Sequence, residues 1–192
     1  MWLVRLAKRS RTVKRLIADK DLFSELREKY LLLDTCCLIH ATKQPELVGK
    51  FIKELGDKGC TLVVTPAVKL EFLRGADSFD AIRAREKYFA FLKTVVYPIE
   101  KYLDKIPEFS VVIQKASGGN TIELSDYLLV ASLVIHPEMY LLTENHRHMP
   151  MAILDRISVI TWDNDKDIKN LGLYKLNGDK YESAVSDILK QK

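Results

Sequence analysis

Three short apolar runs constrain this chain more than any other feature. Residues 30–33 (YLLL), 60–64 (CTLVV) and 139–142 (MYLL) carry almost no strongly polar side chain, and a weaker run follows at 158–161 (SVIT). Such runs read as strands buried on both faces. Segments with helical spacing lie between them. Leu47, Val48, Phe51, Ile52 and Leu55 mark a helix over 45–55. Thr65-Pro66 reads as an N-cap followed by proline at the first helical position, ahead of a helix over 66–73. Further helices are expected at 79–93, 99–116 and 122–135, separated by Gly75, Pro98 and Gly118-Gly119, with a terminal helix over 181–189 and a short one within 19–29. Strands alternating with helices predict an α/β fold built on βαβ units, with a central, mostly parallel sheet covered on both faces.

Composition agrees with a buried core. Apolar residues make up 47% of 192 positions, with only 8 Gly and 6 Pro, which excludes low-complexity and collagen-like chains. The longest apolar run, 127–135, is too short to span a bilayer and reads as a buried helix, so no transmembrane segment is expected. Three cysteines, two of them adjacent, form neither a disulfide framework nor a zinc-like pair, and the N-terminus resembles no secretory signal. A cytoplasmic protein with reduced thiols is the expectation.

The net charge of +4 is unevenly placed. Residues 1–18 carry Arg5, Lys8, Arg9, Arg11, Lys14 and Arg15 and no acid, so this segment alone is +6 and the rest of the chain is −2. Trp2, Leu6, Val13 and Ile17 fall at helical spacing, which predicts a basic amphipathic helix over 2–17. Its cations could follow an RNA backbone, since Lys and Arg release counterions from phosphates. The blander reading packs its apolar side on the domain and turns the charges to water.

The chemistry starts at LLLDTCCLIH, where Asp34 ends the first strand. A buried carboxylate is costly unless paired or bound to a cation. In parallel sheets, however, ligands bind outside the carboxyl ends of the strands. GxxxxGK[ST], GxGxxG and GxSxG motifs are absent, and Cys36 stands where a haloacid-dehalogenase-like phosphohydrolase needs a second Asp. Instead, acids recur at element junctions: Glu71 in TPAVKLEFLRG, and Glu123 and Asp126 in IELSDYLLVAS, three residues apart on one helix face. Thr143 and Asn145 follow a strand in LLTENHRHMP. Each acid also has a plain explanation: Asp34 as a cap, Glu71 paired with Arg74, Asp126 complementing a helix N-terminus. Clustered carboxylates would raise one another's pKa, and Mg²⁺ or Mn²⁺ would relieve that while polarising a phosphoryl group for in-line phosphodiester hydrolysis. His146 and His148 form an HxH without a third ligand nearby, so a non-metal role is expected. Cys36 and Cys37 are expected to be small packed side chains.

In order and spacing these four motifs resemble the PIN-domain nucleases, over about residues 30–163. The resemblance implies a three-layer α/β/α fold and Mg²⁺- or Mn²⁺-dependent endoribonuclease activity. By position, Asp34, Glu71 and Asp126 would be the metal ligands, with Glu123 assisting, and Thr143 and Asn145 would form the fourth motif, with Thr35 a hydroxyl neighbour. Many family members are toxins of bacterial toxin–antitoxin pairs, silenced by a small antitoxin protein, and homodimers are common. The chain then divides into a basic helical extension (1–29), a PIN-like domain (30–163) and a C-terminal helical tail packed on that domain (164–192). Two features depart from the pattern. Asn145 stands where many relatives have Asp, and both terminal segments fall outside the resemblance. The neutral Asn145 and the basic N-terminal helix support a competing reading, a catalytically weak or inactive PIN-like scaffold that binds RNA or a partner protein.

Overall fold

The computed structural model describes residues 2–3, 16–94, 99–118, 122–163 and 167–190. Among these, eight strands form one mixed sheet: β1 (Trp2–Leu3), β2 (Leu16–Ala18), β3 (Tyr30–Leu33), β4 (Thr61–Val64), β5 (Lys93–Thr94), β6 (Tyr140–Thr143), β7 (Leu154–Asp163) and β8 (Ile168–Leu176), in the spatial order β1-β2-β7-β8-β6-β3-β4-β5. The α-helices are α1 (Leu22–Glu25), α2 (Thr35–Lys43), α3 (Lys50–Asp57), α4 (Pro66–Arg74), α5 (Phe79–Glu86), α6 (Ile99–Ala116), α7 (Leu124–Ile135) and α8 (Gly178–Leu189). The protein is thus α/β, as its alternating pattern requires.

The expectation of a mostly parallel sheet is corrected. Strands β5, β4, β3 and β6 are parallel neighbours, but β8, β7, β2 and β1 join antiparallel. The parallel half carries the three apolar runs. Leu31, Leu32 and Leu33 are all buried, as are Leu62, Val63 and Val64, and all four residues of β6. Successive strand residues point to opposite faces, so unbroken burial means that both faces are covered, an arrangement compatible with three layers.

The antiparallel half was hidden from local pattern. A helical tail was expected over 164–192, but β8 inserts between β6 and β7, and only α8 is helical, packed against α6 with the Tyr181 hydroxyl 3.2 Å from Glu108. β8 carries Lys169 and Asn170 near its start and is interrupted by Gly172, so its periodicity is weak; its two long-range partners specify it. The helix expected over 2–17 is likewise replaced at both ends. Trp2–Leu3 and Leu16–Ala18 pair as antiparallel strands, and Leu16 and Ala18 are buried around an exposed Ile17, the period of a strand. Residues 4–15, with Arg5, Lys8, Arg9, Arg11, Lys14 and Arg15, lie outside the described residues. The helix expected over 79–93 stops at Glu86, continues as a 3₁₀ turn to Phe91, and gives way to the short edge strand β5.

Two features position the site. The register sets Leu33 of β3 beside Leu142 of β6, so Asp34 and Thr143 leave the sheet side by side, with the Asp34 amide donating to the Leu142 carbonyl at 3.1 Å. On the other flank of β6, Thr143 is paired with Gly172 of β8. A Cβ at Gly172 would lie 2.5 Å from Cε2 of Tyr174, a fully buried ring whose hydroxyl is 2.7 Å from His146 Nδ1. Gly172→Ala must therefore displace a packed aromatic ring. The expected cost is about 1–3 kcal/mol of stability, read as a lowered urea midpoint with an unchanged slope.

Candidate active site

Asp34 is only 8% exposed, yet its carboxylate accepts three hydrogen bonds from protein donors. Oδ1 accepts from the Thr35 amide at 2.6 Å, which makes Asp34 the N-cap of α2, a helix that sequence pattern did not predict. Oδ2 accepts from the Thr143 hydroxyl at 2.6 Å and from the Cys36 thiol at 3.2 Å. The capping role and the cleft-lining role of Asp34 are therefore the same arrangement.

The other acids are tied to it through two shared residues. Thr35, whose amide caps onto Asp34, donates its hydroxyl to Glu71 Oε2 at 2.7 Å. Asn145 donates its backbone amide to Thr143 Oγ1 at 2.9 Å and its side-chain amide to Asp126 Oδ2 at 2.6 Å. Glu71, Thr35, Asp34, Thr143, Asn145 and Asp126 thus form one continuous hydrogen-bonded chain across α4, the start of α2, the end of β6 and the first turn of α7. Thr65 accepting from the Val68 amide starts α4 as the Thr-Pro pair predicts, nearly two turns before Glu71. Glu71 meets Thr35 and makes no ion pair with Arg74 among the described residues.

A cleft of about 370 Å³ opens on this chain, lined by Asp34, Thr35, Cys36, Glu71, Glu123, Ser125, Asp126, Glu144 and Asn145 with Ile39. All four acids named from sequence border it, together with Asn145, while Thr143 is buried beneath. Glu123 stands at the N-cap position of α7 without a capping bond, exposed at the rim.

Three participants were not anticipated. His148 Nδ1 lies 2.7 Å from Asp126 Oδ2 and 2.9 Å from Asn145 Nδ2, while His146 turns away to Tyr174. The HxH is split between the site and its support, not gathered on a metal. Glu144 lines the cleft, and its carboxylate bridges His40 Nε2 at 2.6 Å and Lys169 Nζ at 3.1 Å. Cys36 is half-buried rather than packed away, accepting from the Glu144 amide at 3.2 Å while donating to Asp34. Only the acids' junction positions were legible; His40, Lys169 and His148 act through pairings that no spacing announces.

Electrostatics follow from burial. Removal from water pushes the Asp34 carboxyl above its ordinary range, Thr143 and Cys36 pull it back, and the Asp126 charge adds to the rise. Burial would also raise Glu144, but His40 and Lys169 hold it below its usual value. The Cys36 thiol is pushed well up by its bond with Cys37 and by burial, so it is no thiolate nucleophile.

The donor chemistry of this cleft suits a hard divalent cation: carboxylate oxygens, no Lys or Arg among the described lining residues, and a carboxyl raised by burial and, to a lesser extent, by the Asp126 charge. Among the described residues no three of Asp, Glu, Cys and His converge closely enough to make a ready cage. Magnesium does not require one, since it keeps several waters and is held by one or two carboxylates. Asp34 and Asp126, with Glu71 and Glu123, are the residues that fit.

No family model, curated protein or solved structure matches this chain.

Two outcomes follow for the site itself. Thr143→Val removes a donor from a buried carboxylate and should cost about 1–3 kcal/mol, whereas Thr143→Ser should recover most of it in the same denaturation series. The second concerns pH. A carboxyl raised in the folded state stabilises the fold fully below its ordinary value of 3.8 and loses that contribution as pH rises through the folded value. Asn caps a helix as well as Asp, so Asp34→Asn should melt above wild type at neutral pH. The gap should close as both proteins are acidified, measured by thermal denaturation across pH.

Proposed function

We propose that this chain is an Mg²⁺- or Mn²⁺-dependent endoribonuclease of PIN type, with a three-layer α/β/α fold. The observation that carries the reading is that Asp34, Glu71 and Asp126, from three motifs far apart in sequence, border one cleft at the carboxyl ends of parallel strands and are joined through Thr35, Thr143 and Asn145. Asp34, Glu71 and Asp126, with Glu123, would hold the cation, which when bound neutralises the cluster and polarises a phosphoryl oxygen. The chain's own residues supply orientation. Thr143 and the Thr35 amide fix the Asp34 carboxylate, the Thr35 hydroxyl fixes Glu71, and Asn145 with His148 fixes Asp126. A phosphodiester entering the cleft would meet carboxylates already aimed, which is where preorganisation lowers a barrier. A cytoplasmic toxin held in check by a small antitoxin, and a homodimer, are parts of the same proposal drawn from the resemblance; among the described residues no helix is long and apolar enough to cross a membrane.

One observation favours a second reading, a PIN-like scaffold that binds RNA or a protein without cutting. Asp126 already accepts from Asn145 and has His148 against the same oxygen, and the fourth-motif residue is neutral.

The two readings separate on a labelled single-stranded RNA pool incubated with Mn²⁺ or with EDTA. The nuclease cuts only with the metal, and Asp34→Asn or Glu71→Gln abolishes cutting. Thr35→Val, which keeps the backbone amide on Asp34 and removes only the hydroxyl that orients Glu71, should lower the rate by about 10–100-fold. RNA bound but left intact by every variant would establish the scaffold instead.

A further inference from the structure

The acidic cleft does not end at Glu71 and Glu123. A second depression of about 390 Å³ lies beyond them between α4 and α7, and it shares Glu71, Glu123 and Ser125 with the cleft, so the two form one trough. The lining changes character along it. Leu70 and Arg74 are one helical turn apart on α4, and Leu124 and Leu128 one turn apart on α7. Leu70 is 71% exposed and Leu124 73%, a pair of large apolar side chains left in water beside a charged site. Arg74 is exposed and pairs with no acid among the described residues.

We infer that this arm of the trough holds one unpaired nucleotide of a single-stranded RNA next to the phosphate in the cleft, its base against Leu70 and Leu124 and a phosphate against Arg74. The inference rests on the phosphodiester reading of the cleft. A nucleotide presents one apolar face and one anion within a small volume, which is what two leucines and one free cation can match. The patch is far below the roughly 20–30 residues a side of a stable protein interface. Its direct continuity with the carboxylates also favours a strand that runs through both. A base can enter only when it is unstacked, so duplexes are excluded from this arm. Among the described residues the hydrogen-bonding side chains of the lining are Arg74, the shared acids and Ser125, so the contact reads apolar face rather than base identity.

The test is fluorescence anisotropy of a labelled oligoribonucleotide of about twelve nucleotides with the full chain in Ca²⁺, with RNA integrity checked on a gel. Because both leucines are exposed, substituting them should leave stability within about 0.5 kcal/mol. Leu70→Ala/Leu124→Ala is expected to weaken single-strand binding about tenfold without changing its salt dependence. Arg74→Ala should reduce the slope of log affinity against log salt by about 0.7, one phosphate's worth on a single strand. The corresponding duplex should bind more weakly and ignore the leucine changes. Unchanged single-strand affinity in the double variant overturns the inference, while Asp34-dependent cutting by that same variant would leave the nuclease reading intact. If the leucine changes alter only the sedimentation of the protein, the arm is an interface between copies and the inference fails. Wild-type protein that neither binds nor cuts RNA would remove both.

Discussion

The hydrogen-bonded chain from Glu71 through Thr35, Asp34, Thr143 and Asn145 to Asp126 is what the rest of the site depends on. A carboxylate left unpaired where Asp34 sits would cost several kcal/mol or simply take up a proton. Here three donors reach it, from the amide and thiol at the start of α2 and the hydroxyl at the end of β6. Each donor residue makes a second bond: Thr143 accepts from the Asn145 amide, Cys36 from the Glu144 amide, and Thr35 donates its hydroxyl to Glu71. Such a network is worth most when every member is satisfied, because polarisation along it strengthens each bond and any vacancy exposes a buried charge. The helix cap, the strand register and the carboxylate geometry therefore stand or fall together.

The antiparallel half of the sheet makes that geometry rigid. β8 pairs with β6 along its whole length, which sandwiches the strand bearing Thr143 between β3 and β8. Gly172 lets the Tyr174 ring fold back over the backbone opposite Thr143, and the Tyr174 hydroxyl then meets His146 in the turn that carries Asn145 and His148. On the other side, Lys169 at the start of β8 reaches Glu144. A segment expected to be a peripheral tail thus braces the fourth motif from two directions.

What was legible in the sequence and what was not divides along the range of the interactions. The apolar runs of β3, β4 and β6, the Thr65-Pro66 start of α4 and the apolar face of α7 are set by neighbours within a few residues, and the acids could be located because they fall at the ends of these elements. β2 and β8 owe their conformation to partners in β7 and β6, so helical spacing misled at the two described ends of 2–17 and a glycine and polar residues concealed a strand at 168–176. Helix α2 lay hidden for a different reason. TCCLIHATK is rich in residues with little helix preference, and the helix forms because Asp34 caps it and because Cys37, Leu38 and Ala41 are buried against the core. The partners of the acids were unreadable on the same grounds, since Thr35–Glu71 and Asn145–Asp126 are contacts between elements.

The neutral residue at position 145 follows from this network. An aspartate there could not donate to Asp126 and would face it with like charge at hydrogen-bonding distance, raising the pKa of both. Asparagine instead supplies the amide that holds Asp126, at the cost of one negative charge in the cleft. The cleft therefore carries one negative charge fewer, while the Asp126 carboxylate is better fixed. Its acids are also grouped unevenly, with Asp34 and Asp126 buried and Glu71 and Glu123 nearer the rim, where the trough turns apolar between Leu70 and Leu124. That gradient arises because α4 and α7 each place an acid and a leucine on adjacent positions, Leu70-Glu71 and Glu123-Leu124, so the two helices that bring the carboxylates together also bring an apolar wall beside them.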